Sequence, residues 1–221
     1  RWNTDFIFSK AKNEVTELNA RSSVMDLVSG YGFARQGYPV RGLFSIPFVG
    51  LSSNGIPMYN INGKITSTDI DFQTRDNIDY LKYEGPTDPT ITGSFGNIFT
   101  YKAFKLNVFI TYSFGNVVRL NPCFNYQYSD LSSMPREFKN RWTVPGDEKH
   151  TNIPAIISKR QYEDNKDLMY AYNAYNYSTE RIAKGDFIRM KEISLSYDFP
   201  KSWITSAKIS NLSLKLQATN L

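Results

Sequence analysis

The chain has 221 residues and a formal net charge of +5, from 26 Lys and Arg against 21 Asp and Glu. Because the two signs are interleaved along the sequence and form no basic stripe, the charge predicts no nucleic-acid partner. The mean hydropathy is negative and no apolar run approaches the ~20 residues of a transmembrane helix, so a helical membrane protein is excluded.

Six stretches of the sequence alternate apolar and polar residues with a period of two, which predicts β-strands. In chain order, the predicted strands lie near 1–9, 37–48, 90–101, 103–115, 186–199 and 212–221. The predicted fold class is therefore all-β, with antiparallel strands. A soluble sandwich, whose inner face alternates in the same way, is the alternative that the pattern alone leaves open.

The alternation is clearest in the fourth and fifth predicted strands. In the fourth strand, one face carries Phe104, Leu106, Val108, Ile110, Tyr112 and Phe114. The opposite face carries Lys105, Asn107, Thr111 and Ser113, and Phe109 is its exception. In the fifth strand, Ile193, Leu195, Tyr197 and Phe199 oppose Ser194, Ser196 and Asp198, and the same count places Arg189 and Lys191 on the apolar side. In a transmembrane barrel the apolar sets would face lipid and the polar sets the lumen.

The connections between the predicted strands differ greatly in length. The turn at 101–104 is tight, whereas the whole of 116–185 separates the fourth strand from the fifth. Short periplasmic turns and long extracellular loops are typical of outer-membrane barrels, and aromatic residues flank both ends of the strands as girdles do. With 101–104 on the periplasmic side, we expect 50–89 and 116–185 to be extracellular and 10–36 to be periplasmic.

Residues that support catalysis or metal binding are scarce. His150 is the single histidine and Cys123 the single cysteine, so a zinc site or a catalytic pair built on either one lacks partners. The carboxylates near 69–71 and 76–79 lack the Gly and the terminal Glu of an EF-hand, and solvated loop charge is the preferred interpretation. The sequence therefore predicts no enzyme, no cofactor and no metal site.

Aromatic residues in the longest predicted loop are candidate ligand contacts. Rings beside amides suit stacking on, and hydrogen bonding to, sugars or peptides. The candidates are Trp142, Tyr170, Tyr172, Tyr175 and Tyr177. The same side chains would equally pack the loop on itself or against a partner protein, and that alternative is the preferred one.

Longer strings of the sequence carry a family resemblance. They are GYPVRGLFSIPFVGL (37–51), NGIPMYNINGK (54–64), the segment 79–116, MPREFKNRWTVPGDE (134–148) and KGDFIRMKEISLSYDFPKSW (184–203). In this order they resemble the C-terminal barrel region of the SusC/RagA family of TonB-linked outer-membrane proteins. The resemblance covers essentially the whole chain.

The resemblance implies that 1–221 is part of the C-terminal barrel domain, in a barrel of about 22 strands, with long extracellular loops and an N-terminal plug that this chain lacks. It also implies TonB-dependent import of an oligosaccharide, or of a peptide, across the outer membrane of a Gram-negative bacterium. The implied partners are a SusD-like lipoprotein over the barrel mouth, outer-membrane lipid, and the TonB complex acting through the plug. Both ends of the sequence look cut, as expected for an interior piece of a longer chain. A passive porin and a soluble carbohydrate-binding or adhesin sandwich are the rival classes.

Overall fold

The computed structural model describes residues 1–30, 34–124, 133–205 and 208–221. The strands are β1 Trp2–Lys10, β2 Gly42–Ser45, β3 Phe48–Leu51, β4 Pro57–Ile61, β5 Lys64–Thr66, β6 Lys82–Pro86, β7 Ile91–Tyr101, β8 Phe104–Phe114, β9 Val117–Arg119, β10 Ile182–Lys184, β11 Phe187–Asp198 and β12 Ser213–Thr219. The α-helices are α1 Val24–Ser29, α2 Lys159–Asp164, α3 Leu168–Asn176 and α4 Lys201–Ile204, and short 3₁₀ helices lie at Ile78–Tyr80, Arg136–Asn140, Asp147–Lys149 and Thr179–Arg181. In these ranges no helix combines the length and the apolar character that a membrane crossing needs.

The chain forms two compact units. The first unit is Arg1–Lys12, Pro89–Asn116 and Gly185–Leu221, and the second is Asn13–Asp88 and Val117–Lys184. In the first unit, β1, β7, β8, β11 and β12 pair in that order to form the long sheet. In the second unit, the described strands pair as β2 with β6, as β9 with β10, and as β4 with both β3 and β5. All of these pairings are antiparallel, as predicted.

The register of the long sheet gives it one apolar and one polar face. Leu106 lies directly opposite Phe99 on β7 and Leu195 on β11, while Asn107 lies opposite Ile98 and Ser194. Since directly opposed residues point to the same side, the alternation on each strand is in phase across the sheet. The apolar face is the face that carries Leu106, and the polar face is the face that carries Asn107.

The structure overturns the predicted position of one strand. The stretch 37–48 is not part of the long sheet, because β1 pairs directly with β7, with Trp2 opposite Phe99 and Lys10 opposite Ile91. Pro39 and Pro47 lie within this stretch and lack the amide hydrogen that a ladder needs. Only Gly42–Ser45 forms a strand between them, and it is buried on both faces rather than alternating.

The same pairing overturns the predicted side of 10–36. Because β1 ends beside the start of β7, the connection 11–90 leaves and re-enters the long sheet at the same end. That end also holds the last residues of β8 and the first of β11, so 115–186 connects there too. The segment 10–36 therefore does not lie at the tight-turn end, and both long connections share one end of the sheet. Residues 31–33 and 125–132 of the predicted loops lie outside the described residues.

The second unit has its own apolar core. Helix α1 begins with a reciprocal capping box, in which the Ser23 hydroxyl accepts from the Asp26 amide and the Asp26 carboxylate accepts from the Ser23 amide. Behind this cap the helix buries an apolar stripe that packs with the inner residues of β2 and β4. The buried members of the core are Val24, Leu27, Val28, Phe44, Ile46, Tyr59, Ile70, Phe72, Leu81 and Ala174. The Tyr59 hydroxyl donates to the Ala171 carbonyl at 2.7 Å, which joins β4 to α3.

Candidate functional site

The apolar face of the long sheet leaves large apolar side chains exposed. Phe104 is 49% exposed, and the edge residues Phe6 and Leu216 are each 65% exposed. The predicted lipid-facing residues Phe104, Leu106, Val108, Ile110, Tyr112, Phe114, Ile193, Leu195 and Tyr197 lie on this face by register. Phe199 follows β11 and contacts the Tyr197 ring, with a centroid separation of 5.1 Å. An apolar surface of this extent marks a site of contact with lipid or with another protein.

The polar face carries a hydrogen-bond network centred on Glu192. The Oε1 atom of Glu192 accepts from the Asn107 amide and from the Ser194 hydroxyl, each at 3.1 Å, and lies 3.7 Å from the Lys215 ammonium. The predicted lumen-facing residues Lys105, Asn107, Thr111, Ser113, Ser194, Ser196 and Asp198 alternate onto this face. A depression of about 200 Å³ lies beside the network and is lined in part by Lys105 and Ser196. This face can hydrogen-bond water or a polar solute along its length.

A β-bulge corrects the predicted position of two cations. Between Met190 and Glu192 the register shifts by one residue, so Met190 lies opposite Ile110 whereas Glu192 lies opposite Phe109. The residue in the bulge, Lys191, is left without a partner on β8. Arg189 consequently lies on the polar face, and the prediction that Arg189 and Lys191 share the apolar face with Ile193 was wrong.

Two aromatic rings of β8 lie against glycines of the neighbouring strand. On the polar face, a Cβ added to Gly96 would stand 3.3 Å from the Phe109 ring. On the apolar face, a Cβ added to Gly93 would stand 2.3 Å from the Tyr112 hydroxyl, which donates to the Ile7 carbonyl at 2.9 Å. Phe109, the exception to the alternation, therefore packs within the sheet, where a glycine leaves room for its ring.

The tyrosine run of the predicted loop forms helix α3, and most of it faces inward. Tyr172 and Tyr175 are each 2% exposed, and burial raises the pKa of both phenols well above the ordinary value. Their rings pack edge-on against Phe124 at 5.2 and 5.3 Å. Direct ligand contact by Tyr172 and Tyr175 was therefore a wrong prediction, and the alternative of packing within the unit holds for both. In an α-helix side chains repeat every 3.6 residues, and this periodicity turns Tyr172 and Tyr175 into the core. The sequence predicts a loop for this stretch, and a loop prediction does not give this direction.

The remaining members of the run differ in exposure. Tyr170 is 43% exposed and stays a candidate ligand contact. Tyr177 is half-buried, with its ring 6.0 Å from Phe72 and the Arg119 guanidinium 5.6 Å from its centroid. Tyr177 therefore contributes mainly to packing.

Trp142 belongs to a tightly bonded loop. Its ring lies over Gly55, where an added Cβ would stand 2.5 Å from the indole, and its Nε1 donates to Glu148 at 3.1 Å. Asp147 accepts from the amides of Thr143 and Val144 at 2.9 and 3.0 Å. These backbone hydrogen bonds hold the pKa of Asp147 below its ordinary value, and hydrogen bonds from its own amide and from the indole lower the pKa of Glu148. Trp142 is partly exposed, so it stays a candidate ligand contact on a preorganised loop.

Two arginines that the sequence did not single out hold the second unit together. Arg119 donates to the Phe44 carbonyl at 2.6 Å and to the carbonyls of Asn176 and Ser178 at 3.5 Å, and burial lowers its pKa to about 10. The Arg181 side chain is 6% exposed and contacts both carboxylate oxygens of Glu137 at 2.8 Å. The available signal for Arg119 was a lone cation among apolar residues, in the string VVRL.

The carboxylates considered for calcium are paired with cations. Asp69 contacts Lys64, Asp76 contacts Arg21, and Asp79 contacts Arg35, while Asp71 accepts from a backbone amide. Among the described residues no three His, Cys, Asp or Glu side chains are grouped to hold a metal ion. The Cys123 thiol is buried, which raises its pKa to about 11, so it is a packing residue and not a reactive nucleophile.

Comparisons with known proteins agree with the architecture of the long sheet. No protein-family model matches the chain. Over its full length the chain is 23% identical to TonB-dependent receptor P3 and 24% identical to TonB-dependent receptor P39, both from Formosa agariphila, and it covers 22% and 24% of them. Its fold matches the RagAB peptide importer in the open-open state over all of this chain and 23% of that one, with a TM-score of 0.61 and 20% identity. The chain is thus similar in sequence to TonB-dependent receptors and in fold to the RagAB peptide importer.

Two further solved structures match the fold of this chain. It aligns with the closed-closed state of the RagAB importer at a TM-score of 0.59, and with a structure of the RagAB peptide transporter at 0.58 over 85% of the chain and 19% of that chain, with 20% and 21% identity. The segment spans less than a quarter of the length of the curated receptors it matches. These relatives are receptors and transporters rather than enzymes, which agrees with the prediction that the chain is not an enzyme.

Proposed function

We propose that this chain forms part of the wall and surface loops of a TonB-dependent importer in the outer membrane of a Gram-negative bacterium. The observation that carries the proposal is the long sheet, which is apolar and exposed on one face and polar on the other. At about 3.3 Å per residue and a tilt of about 45°, the 11 residues of β8 would cross the roughly 25 Å apolar band of an outer-membrane barrel. The apolar face would contact lipid, and the polar face would line a hydrated lumen around a plug.

The two long connections lie at the same end of the long sheet, and this supports an orientation of the sheet across the outer membrane. Connections 11–90 and 115–186 meet the sheet at one end, whereas β7 and β8 are joined at the other end by Lys102 and Ala103 alone. Outer-membrane barrels place short turns in the periplasm and long loops outside the cell. We therefore assign the second unit, which these connections form, to the extracellular surface, where it would help capture the ligand.

The proposed ligand is an oligosaccharide, with a peptide as the second candidate. The second candidate is supported by the description of the RagAB matches as a peptide transporter and importer. The exposed Tyr170 and the preorganised Trp142 are the loop aromatics available for contact with either. A SusD-like lipoprotein is the proposed partner at the mouth. Ligand would enter between it and the loops, and TonB acting on the plug would release it inward.

Cysteine labelling of the full-length protein in membranes tests the wall assignment. Single cysteines at Leu106, Val108 and Ile110 should react with a lipid-soluble reagent, whereas cysteines at Asn107 and Thr111 should react with a small water-soluble one. Equal labelling of both sets would refute the assignment. A soluble sandwich or adhesin would further show itself by release of the protein without detergent.

Ligand uptake by whole cells separates an importer from a passive porin. Import through a TonB-dependent receptor should stop when the proton gradient is dissipated or TonB is deleted, because energy reaches the plug through that complex. Uptake that is unchanged under both treatments would support the porin. Parallel assays with oligosaccharide and peptide pools identify the ligand class.

A further inference from the structure

A ladder of aromatic rings leads from the apolar face into the turn after β11. The ring centroids of Phe104 and Tyr197 are 4.6 Å apart, those of Tyr197 and Phe199 are 5.1 Å apart, and those of Phe199 and Trp203 are 6.4 Å apart. Trp203 lies on α4 and is 66% exposed, while the next residue, Ile204, is 5% exposed and anchors the turn. The last ring of the ladder is therefore held outward at the tight-turn end of the sheet.

The same end of the sheet carries an excess of positive charge. The stretches 1–2, 100–105 and 197–213 together contain a single acidic residue, Asp198. The basic residues of these stretches are Arg1, Lys102, Lys105, Lys201 and Lys208. Within the part of the chain that the structure describes, Lys102, Lys201 and Lys208 are exposed and form no ion pair. Their charge is available to an external anion.

Two of these lysines occupy backbone positions that do not favour lysine. Lys102 and Lys208 have φ angles of 53° and 55°, whereas the other described residues with positive φ are asparagines and glycines. A left-handed conformation is less strained for Gly or Asn than for a residue with a long side chain. The Lys102 ammonium also lies 5.4 Å from the centroid of the exposed Tyr101 ring. The turn geometry therefore does not itself require a lysine at either position.

We infer that this end of the sheet binds the anionic headgroups of a phospholipid leaflet. The binding surface, called the lysine collar, consists of Lys102, Lys201 and Lys208 with the rings of Tyr101, Phe104, Tyr197, Phe199 and Trp203. Aromatic side chains settle at the level of lipid headgroups, and lysine ammoniums reach the phosphates while their stems lie along apolar surface. The collar fixes how deeply the sheet sits in the membrane. This inference rests on the proposed membrane-spanning function.

Charge complementarity selects phospholipid over a purely apolar occupant. The apolar face by itself requires only hydrocarbon, which carries no charge, but three unpaired ammoniums next to exposed rings require phosphate at the same depth. Anionic lipid satisfies both requirements in one molecule. An acidic partner protein would pair with the lysines without entering between the aromatic rings. If such a protein were the true partner, the collar itself would show no preference among lipid headgroups.

Lipid retention by the full-length protein in nanodiscs tests the lysine collar. The protein is reconstituted with phosphatidylglycerol and phosphatidylcholine in equal amounts, and spin-labelled lipids of both headgroups report the fraction held at the protein surface. Wild-type protein should retain phosphatidylglycerol preferentially. Replacing Lys102, Lys201 and Lys208 by Gln should lower the relative association constant for phosphatidylglycerol about fivefold for each lysine, with a smaller effect at high salt.

Matched variants make the result decisive. The double variant Lys10→Gln with Lys12→Gln removes two cations at the opposite end of the sheet. It should leave the preference for phosphatidylglycerol in the leaflet at the collar unchanged. Trp203→Leu should weaken retention of both lipids equally, because its ring carries no charge. Equal preference in wild type and in the triple Lys→Gln variant would overturn the inference. Failure of the protein to enter nanodiscs at all would instead count against the proposed function.

Discussion

The two units of the chain differ in the exposure of their large apolar side chains. In the second unit Phe44 is 1% exposed and Tyr59 is fully buried, whereas in the long sheet Phe95 is 40% exposed and Leu216 is 65% exposed. The second unit thus satisfies its apolar surface internally, as a domain in water does. The long sheet leaves its apolar surface for the surroundings to cover. The two units therefore differ in how much apolar surface they leave exposed, which is the contrast that the proposed membrane setting would explain.

The largest expected effect comes from truncating matched phenylalanines in the two units of the full-length protein. Phe44→Ala should destabilise the second unit by about 3–5 kcal/mol, because a buried ring is lost and a cavity remains. Phe44 contacts the rings of Tyr38 and Tyr83 at 5.0 and 5.4 Å, and these contacts would vanish. Phe95→Ala on the apolar face should leave the second unit unchanged, since under the proposed function lipid would fill the space of the missing ring.

Hydrogen exchange by mass spectrometry checks this pair of variants in nanodiscs. We expect faster exchange of backbone amides in 24–28 and 42–46 for Phe44→Ala, and exchange like that of wild type for Phe95→Ala. If Phe95→Ala loosened the second unit as much as Phe44→Ala does, the contrast between the two units would be wrong.

Periodicity predicted the long sheet well because each of its faces meets a uniform environment. Alternation in 103–115 survives in the structure residue by residue, and Phe109 departs from it only because Gly96 leaves space across the strand. A period of two could not predict the bulge at Lys191. One inserted residue moves every side chain on one side of it to the opposite face of the sheet. The phase of an alternation is thus predictable up to the first bulge.

Prediction was weaker in the second unit, where burial depends on tertiary packing. The stretch 37–48 alternates in sequence, yet Gly42–Ser45 is buried on both faces, with α1 packed against it and β6 paired along its edge. The sequence showed that the segment of α3 is rich in tyrosine but not which tyrosines are buried. The helical structure buries Tyr172 and leaves Tyr170 exposed. The role of Arg181 depends on Glu137, which is 44 residues away, and no local pattern announces such a pair.

An intermediate effect is expected from alanine at the two glycines under aromatic rings. Gly93→Ala should destabilise the long sheet by about 1–3 kcal/mol, because the added methyl would stand 2.1 Å from the Ile7 carbonyl oxygen as well as against the Tyr112 hydroxyl. Gly96→Ala should cost less, since its nearest neighbour is the Phe109 ring at 3.3 Å, which can shift. Thermal unfolding of the full-length protein in detergent measures both. A larger loss for Gly96→Ala would contradict the packing described for the two faces.

The smallest expected effect is a loosening at acid pH that is confined to the Trp142 loop of the second unit. The pKa values of Asp147 and Glu148 are lowered in the folded loop, so their hydrogen bonds contribute stability above the unfolded-state pKa values, near 4, and lose it as the pH falls through the lower folded values. Amide exchange in 143–148, corrected for its intrinsic pH dependence, should therefore speed up below about pH 4. Asp147→Asn removes the titrating group that accepts from Thr143 and Val144, so this part of the acid response should disappear. The amides of the long sheet serve as the internal control, and their exchange should not speed up in this pH range if the response is confined to the Trp142 loop. Equal acid loosening in 143–148 for wild type and Asp147→Asn would show that the carboxylate does not hold the loop.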